Sequence, residues 1–252
     1  MTTGDVVLDV SQDWALACNV QQRFMQRLGR NRGSVDSSAR CRQLHALGGD
    51  CYDFMPLAED RLALLVGDAS GKSLAAALMI ASVQSSLRTA ALFTRNDLAA
   101  LLRVVNHQAY TSSPTNRYTT LFYGIVDGAR RTLRYVNAGH NPPLVFRRNG
   151  AIQWLEMGGA PVGMFPDSNY EESSVQLDTG DLVIAYTDGI TEAVNPSGEE
   201  WGVQGLLQAT TAWASQCAGD SEDLVRFIFN SMDEFSQGRQ IDDATLAVLR
   251  MA

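Results

Sequence analysis

Thiol chemistry is scarce in this chain. It carries four cysteines in 252 residues, Cys18, Cys41, Cys51 and Cys217, and none forms the C-x-x-C pair of a zinc or redox site. None is followed six positions later by arginine, which excludes the nucleophilic cysteine loop of tyrosine phosphatases. Free thiols in a reducing compartment are the expectation. Positive charge is also short: 20 Lys and Arg against 28 Asp and Glu leave a formal net charge of −8. A nucleic-acid footprint needs clustered positive charge, so that class of partner is not expected. No apolar run of about 18 residues, the length of a bilayer span, stands out, and no signal-peptide pattern opens the chain. A cytoplasmic protein without membrane contact is expected. Internal repeats and low-complexity tracts are missing too, which favours one domain.

What is present is a 45% apolar composition, ample for a core, and a run of hairpin signals. Residues 10–28 repeat Leu16, Val20, Phe24 and Leu28 at every fourth position, a helix that could pack on the domain or on a second copy. Gly29 and the polar stretch to Ser38 end it. Strands are expected over Cys51–Leu57 and Arg61–Gly67, joined by Ala58-Glu59-Asp60. Helices follow at Lys72–Phe93 and Asn96–Tyr110, with Asn96 as a cap. Tyr118–Val126 and Thr132–Ala138 flank a turn at Asp127–Arg130. Pro143–Arg147 and Ile152–Leu155 flank Asn149-Gly150, a strong hairpin signal. Ser173–Leu177 and Asp181–Tyr186 read as a further pair around Thr179-Gly180. Helices near Gly202–Cys217 and Ser221–Ser236 and a strand over Ala244–Arg250 complete the pattern. Successive hairpins imply antiparallel pairing, and the helices can cover both faces of a sheet pair.

Four aspartates, far apart in the chain, sit beside a glycine or another aspartate: Asp50 in Gly48-Gly49-Asp50, Asp68 in Gly67-Asp68-Ala69-Ser70-Gly71, Asp188 in Thr187-Asp188-Gly189, and Asp242 in Asp242-Asp243. Each could be an ordinary turn. Together, at strand ends, they read as carboxylates meeting around a hard metal ion, since unpaired carboxylates repel without a cation. Asp53 is a candidate for the surroundings of such a site. The stretch Gly67–Ser73 also resembles a phosphate-binding loop, but three residues separate its glycines where that motif needs four. Lys72 is placed to approach an anionic substrate. His140, in Asn137-Ala138-Gly139-His140-Asn141-Pro142-Pro143, could act as acid or base, or hold its loop by hydrogen bonds.

Taken in order, these motifs resemble the metal-dependent serine/threonine phosphatases of the PPM (PP2C-like) family, closest to the bacterial SpoIIE/RsbU type. The resemblance runs from Gln21-Gln22-Arg23 through Gly-Gly-Asp, Gly-Asp-Ala-Ser-Gly-Lys, Tyr118–Tyr123, Asn-Ala-Gly-His-Asn-Pro-Pro, Gly163 and Tyr186–Gly189 to Asp-Asp-Ala-Thr. It implies an α+β fold, an α-β-β-α sandwich of two antiparallel sheets flanked by helices, with residues 1–38 as N-terminal helix and linker and 39–252 as the phosphatase domain. It implies two Mn²⁺ or Mg²⁺ ions. Asp68 would bridge them, the Ala69 carbonyl and Asp50 would serve the second, Asp188 and Asp242 the first, with Asp243 also at the site. A two-metal-activated water would attack the phosphorus. Ser70 stands where eukaryotic relatives carry a histidine, and the nearest candidates for a phosphate-gripping cation are Arg40, Arg42 and His45. The implied substrate is a phosphorylated bacterial regulator, a STAS-type anti-anti-sigma partner, with a separate activator protein and a homodimer through the first helix as further partners. The competing reading is a metal-binding pseudophosphatase that docks a partner without catalysis.

Overall fold

The structure is a computed structural model, and it describes residues 10–25, 33–57, 60–94, 97–114, 116–216 and 219–252. Leu28, Gly29, Ala58, Glu59, Asn96 and Cys217, each given a role above, lie outside these residues.

Strands β2 (Asp50–Pro56), β3 (Arg61–Ala69), β4 (Thr119–Asp127), β5 (Thr132–Ala138) and β8 (Gly158–Gly159) form one sheet in that order, with β9 (Ser173–Gln176) also on β5. The second sheet runs β1 (Val35–Arg42), β11 (Ala244–Met251), β10 (Leu182–Tyr186), β6 (Leu144–Phe146), β7 (Ile152–Trp154). Pairing is antiparallel except for the short β5–β8 contact.

Three apolar layers hold the stack. Between the sheets lie Tyr52, Phe54, Leu64, Val66 and Phe122 from one side and Val183, Ala185, Ala247 and Leu249 from the other. Helices α2 (Leu74–Ala91) and α3 (Leu98–Ser112) cover the outer face of the first sheet through Ile80, Val83, Leu87, Leu102 and Val105. Helices α5 (Gly202–Ser215) and α6 (Ser221–Ser236) cover the second through Leu206, Trp213, Ile228 and Phe229. The result is the α-β-β-α sandwich. Strict alternation along β2 sends Tyr52 and Phe54 inward and Cys51, Asp53 and Met55 toward α2, as period-two side chains require.

Several expectations are corrected. The segment read as linker up to Ser38 is already sheet from Val35, where β1 pairs with β11 along its whole length. Its polar composition hid it: Asp36 accepts a hydrogen bond from the Ser221 amide, 2.7 Å away, and so serves the start of α6. The strands near Ser173 and Asp181 do not pair around Thr179-Gly180. β9 joins β5 in one sheet and β10 joins β6 and β11 in the other, so this turn carries the chain between layers. The N-cap of α3 is Asp97, whose side chain accepts from the Ala100 amide. At 18 residues α2 has the length and apolarity of a bilayer span after all, but it packs as a core helix of the sandwich. In α1 (Val10–Phe24) the predicted stripe faces outward at Leu16 and Val20, and the packed face carries the buried Gln21.

Candidate metal centre

The two Gly-flanked aspartates of the first sheet meet by register. Asp50 on β2 lies opposite Asp68 on β3, and Asp68 lies opposite Thr120 on β4. Directly opposed residues share a face, so these side chains form a row at one end of the sandwich. Asp50 is buried and stitches the sheets together. Its Oδ2 accepts from the hydroxyls of Thr187, just past β10, and Thr245 on β11, each at 2.7 Å. Burial first, and the charge of Asp68 second, push its pKa well up.

The other carboxylates arrive from the second sheet. β10 ends at Tyr186, and Asp188 opens the short helix α4 (Asp188–Thr191). Gly189 makes the next step possible, because a Cβ there would lie 1.9 Å from the Asp243 carbonyl oxygen. This close approach brings Asp188 to the turn before β11. Carboxylate oxygens of Asp188, Glu192 and Asp242 lie within 4.8 Å of one another. Asp68 and Asp188 line a cleft of about 170 Å³ with Ser70, Tyr118, Thr120, His140 and Asn141. Burial and crowding act together on these groups. Burial, then the charges of Asp188, Asp242 and Asp243, raise Asp68 to about 7, against a weaker opposing effect of Lys72. Burial and Asp242 raise Asp188. Burial, then Asp188, raises Glu192.

Asp243 is held differently. Its Oδ1 accepts from the Leu44 amide at 2.7 Å and its Oδ2 from the Gly49 amide at 2.8 Å. A Cβ on Gly48 would meet that Oδ2 at 2.4 Å, which gives the double glycine a steric cause. The Gly49 carbonyl accepts from the Ala69 amide at 3.0 Å, so the loop before Asp50 and the end of β3 are tied together. Ala69 itself is buried at that strand end.

Asp53 is not at the site. It lies three residues from Asp50, on the opposite face of β2, where it is fully buried and gripped by Arg88 through two bonds of 2.5 and 2.8 Å and by Gln84 at 3.1 Å. Lys72 does not stand open for a substrate: its Nζ pairs with Asp242 at 2.7 Å. Arg42 is bound by Asp233, and both Arg40 and Arg42 lie over the Phe229 ring of α6, while His45 is exposed on its loop; none of the three lines the carboxylate cleft. His140 is buried, and burial lowers it to about 4, so it is neutral near pH 7. Its Nδ1 lies 3.0 Å from the Thr120 hydroxyl, and its amide donates to Asn137 Oδ1 at 2.7 Å. These contacts make it a loop anchor.

Glu192 was not foreseen. Its signal was present in the spacing Asp188-x-x-x-Glu192, one helical turn, which puts two acids on one face. Arg117 was missed as well. Its Nη1 donates to the Ser70 carbonyl at 2.7 Å. The donors converging here are carboxylate oxygens, the set that hard divalent cations take; Asp68, Asp188 and Glu192 are raised first by burial and then by neighbouring negative charge, and a cation would relieve the second.

Comparison with known proteins bears on the family and the fold. The sequence profile described as Stage II sporulation protein E (SpoIIE) matches residues 58–252. Protein IcfG of Synechocystis sp. is 31% identical over 196 residues, covering 66% of this chain and 30% of that protein. Phosphoserine phosphatase RsbU of Bacillus subtilis is 25% identical over 248 residues, covering 96% of this chain and 71% of that protein. The chain thus spans under a third of the first relative and about two thirds or more of the second. The solved SiaA-PP2C domain of Pseudomonas aeruginosa superposes with a TM-score of 0.83 at 19% identity, over 99% of this chain and 100% of that one.

Proposed function

This chain belongs to the SpoIIE family of PP2C-like domains, and from that premise we propose that it is a metal-dependent protein serine/threonine phosphatase. The observation that carries the reading is the gathering of Asp68, Asp188, Asp242 and Glu192, from both sheets, into one oxygen-only cluster.

Two Mn²⁺ or Mg²⁺ ions fit this donor set. Asp68 would serve both, Asp188 and Asp242 the first, and Asp50 with the Ala69 carbonyl the second. Bound ions of this kind supply Lewis acidity toward a phosphoryl oxygen and make water a nucleophile near neutral pH. The protein contributes the rest. Lys72 orients Asp242 through their ion pair. Asp243 fixes the Gly48-Gly49 loop that carries Asp50. Thr187 and Thr245 hold Asp50 Oδ2 in place. His140 stays neutral and fastens the wall that Asn141 extends into the cleft.

The substrate we propose is a phosphoserine- or phosphothreonine-bearing bacterial regulator in the cytoplasm, of the STAS-type anti-anti-sigma class. The similarity to RsbU of Bacillus subtilis, a phosphoserine phosphatase, supports the reaction type. A separate protein activator and a homodimer through α1 belong to the same reading; exposed Leu16 and Val20 support the dimer. Sedimentation of a Leu16→Asp variant tests it, and an unchanged mass would remove that element.

The activity test is phosphate release from an aryl phosphate and from a phosphorylated candidate regulator, with Mn²⁺, Mg²⁺ or chelator. Asp68→Ala and Asp188→Asn are expected to lower turnover by more than about 100-fold, as loss of a preorganised charge-stabilising group does. Equal rates for wild type and Asp68→Ala would instead support the non-catalytic docking module.

A further inference from the structure

Beside the carboxylate cleft lies a larger one of about 520 Å³, whose lining includes Tyr110, Arg117, Tyr118, Met164 and Phe165. Tyr118 is a wall of both. Arg117 stands at the junction, since it lines the larger cleft and bonds the carbonyl of Ser70, which lines the smaller. The two depressions therefore adjoin at Tyr118.

The rim of the larger cleft leaves aromatic surface in water: Tyr110 is 43% exposed and Phe165 54%. Yet the backbone under Phe165 is held firmly. Asn106, 1% exposed, donates from Nδ2 to the carbonyls of Phe165 at 2.9 Å and Pro166 at 3.3 Å. Its Oδ1 accepts from the Gly163 amide at 2.9 Å and the Tyr170 hydroxyl at 3.3 Å. A buried amide thus directs all four of its hydrogen-bonding positions to this loop and its neighbour Tyr170. Gly163 adopts φ +82°, a left-handed backbone that a side chain would strain. A rigid frame that presents a ring to solvent is preorganised for a partner, because little ordering remains to be done on binding.

We propose that this cleft docks the polypeptide of the phosphoprotein substrate next to its phosphorylated residue. It takes one large apolar side chain against Tyr110, Met164 and Phe165. Arg117, the only charged side chain among the described residues of the lining, complements an acidic group beside it. The proposal rests on the phosphatase reading and adds a specificity subsite to it. The favoured occupant is the substrate segment rather than a second copy, because the cleft adjoins the carboxylate site at Tyr118 and carries a cation suited to an anionic peptide.

The test compares an aryl phosphate, which fills only the carboxylate cleft, with short phosphoserine peptides varied at each flanking position. Wild type is expected to prefer Leu or Phe over Ala at one flanking position by about tenfold or more in kcat/KM, the scale of discrimination in an apolar pocket. Phe165→Ala and Tyr110→Ala, neither of which touches the carboxylates, should reduce that preference to under about threefold while aryl phosphate turnover stays within about twofold. The proposal is overturned if wild type shows no flanking preference, if the preference survives in both variants, or if both substrates decline in parallel. A change in sedimentation on Phe165→Ala would identify the occupant as a second copy and would also overturn it. Failure of the underlying reading looks different: wild type would release no phosphate from the aryl substrate with Mn²⁺ present.

Discussion

At Asp68, burial and three neighbouring carboxylates lift the pKa from an ordinary 3.8 to about 7. The folded, chelated chain therefore keeps a proton across that interval which the unfolded chain has lost. Stability falls as pH rises through the window, by linkage. Thermal melts in chelator should show a higher Tm near pH 5 than near pH 7.5, and the opposite order would contradict the crowded-carboxylate geometry. A second residue-scale outcome concerns Gly189. A methyl there would collide with the Asp243 carbonyl, so Gly189→Ala should push α4 off the β11 turn. Mn²⁺ affinity, read by calorimetry, is expected to weaken by about tenfold or more, the range seen when a supporting contact of a metal site is lost. Asp50, Asp68, Asp188 and Asp242 were legible because each is flanked by glycine or a second acid that marks tight backbone. Asp53 misled because nearness in sequence was taken for nearness in space; an odd separation on a strand reverses the face. Glu192 stayed hidden because its neighbours, Thr191 and Ala193, give no such mark.

Among the elements that supply no carboxylate, α1 is tied to the loop carrying Asp50 through one side chain. Gln21 Nε2 donates to the Gly48 carbonyl at 2.7 Å, and its Oε1 accepts from the Gly48 amide at 3.1 Å and from Gln43 at 2.9 Å. Removing this side chain leaves a buried peptide group without its partners, which costs about 1–3 kcal/mol. Gln21→Ala is therefore expected to lower stability by that amount in urea melts and to weaken Mn²⁺ binding as well. Unchanged metal binding would show that the Gly48 loop holds its shape without the helix. The hairpins of β2–β3, β4–β5 and β6–β7 were readable from alternation and turn residues. The parting of β9 from β10 was not, because Thr179-Gly180 supports a hairpin turn and a crossover equally well. Only the sheet cores on either side decide between them.

For the whole molecule, the carboxylates that would hold the ions come from both sheets, so binding should stabilise the sandwich as a unit. An ion at about 100 times its dissociation constant adds about 2.7 kcal/mol to the folded state. For a domain of this size that corresponds to a Tm increase of about 5–10 °C. Asp188→Asn should remove most of the increase, and a full shift in that variant would place the ions elsewhere. The layered architecture followed from motif order and hairpin count, whereas the exposed aromatic rim at Phe165 followed from neither, since its support comes from Asn106, far back in the chain. One further consequence attaches to β11. It comes last in sequence among the strands of the sandwich, yet it lies inside its sheet, flanked by β1 and β10. A nascent chain still on the ribosome and lacking residues 244–251 has two unpaired strand edges and no Thr245 to secure Asp50. Completion of the fold must therefore await emergence of this segment from the exit tunnel, and until then those two edges stay open to pairing with other chains.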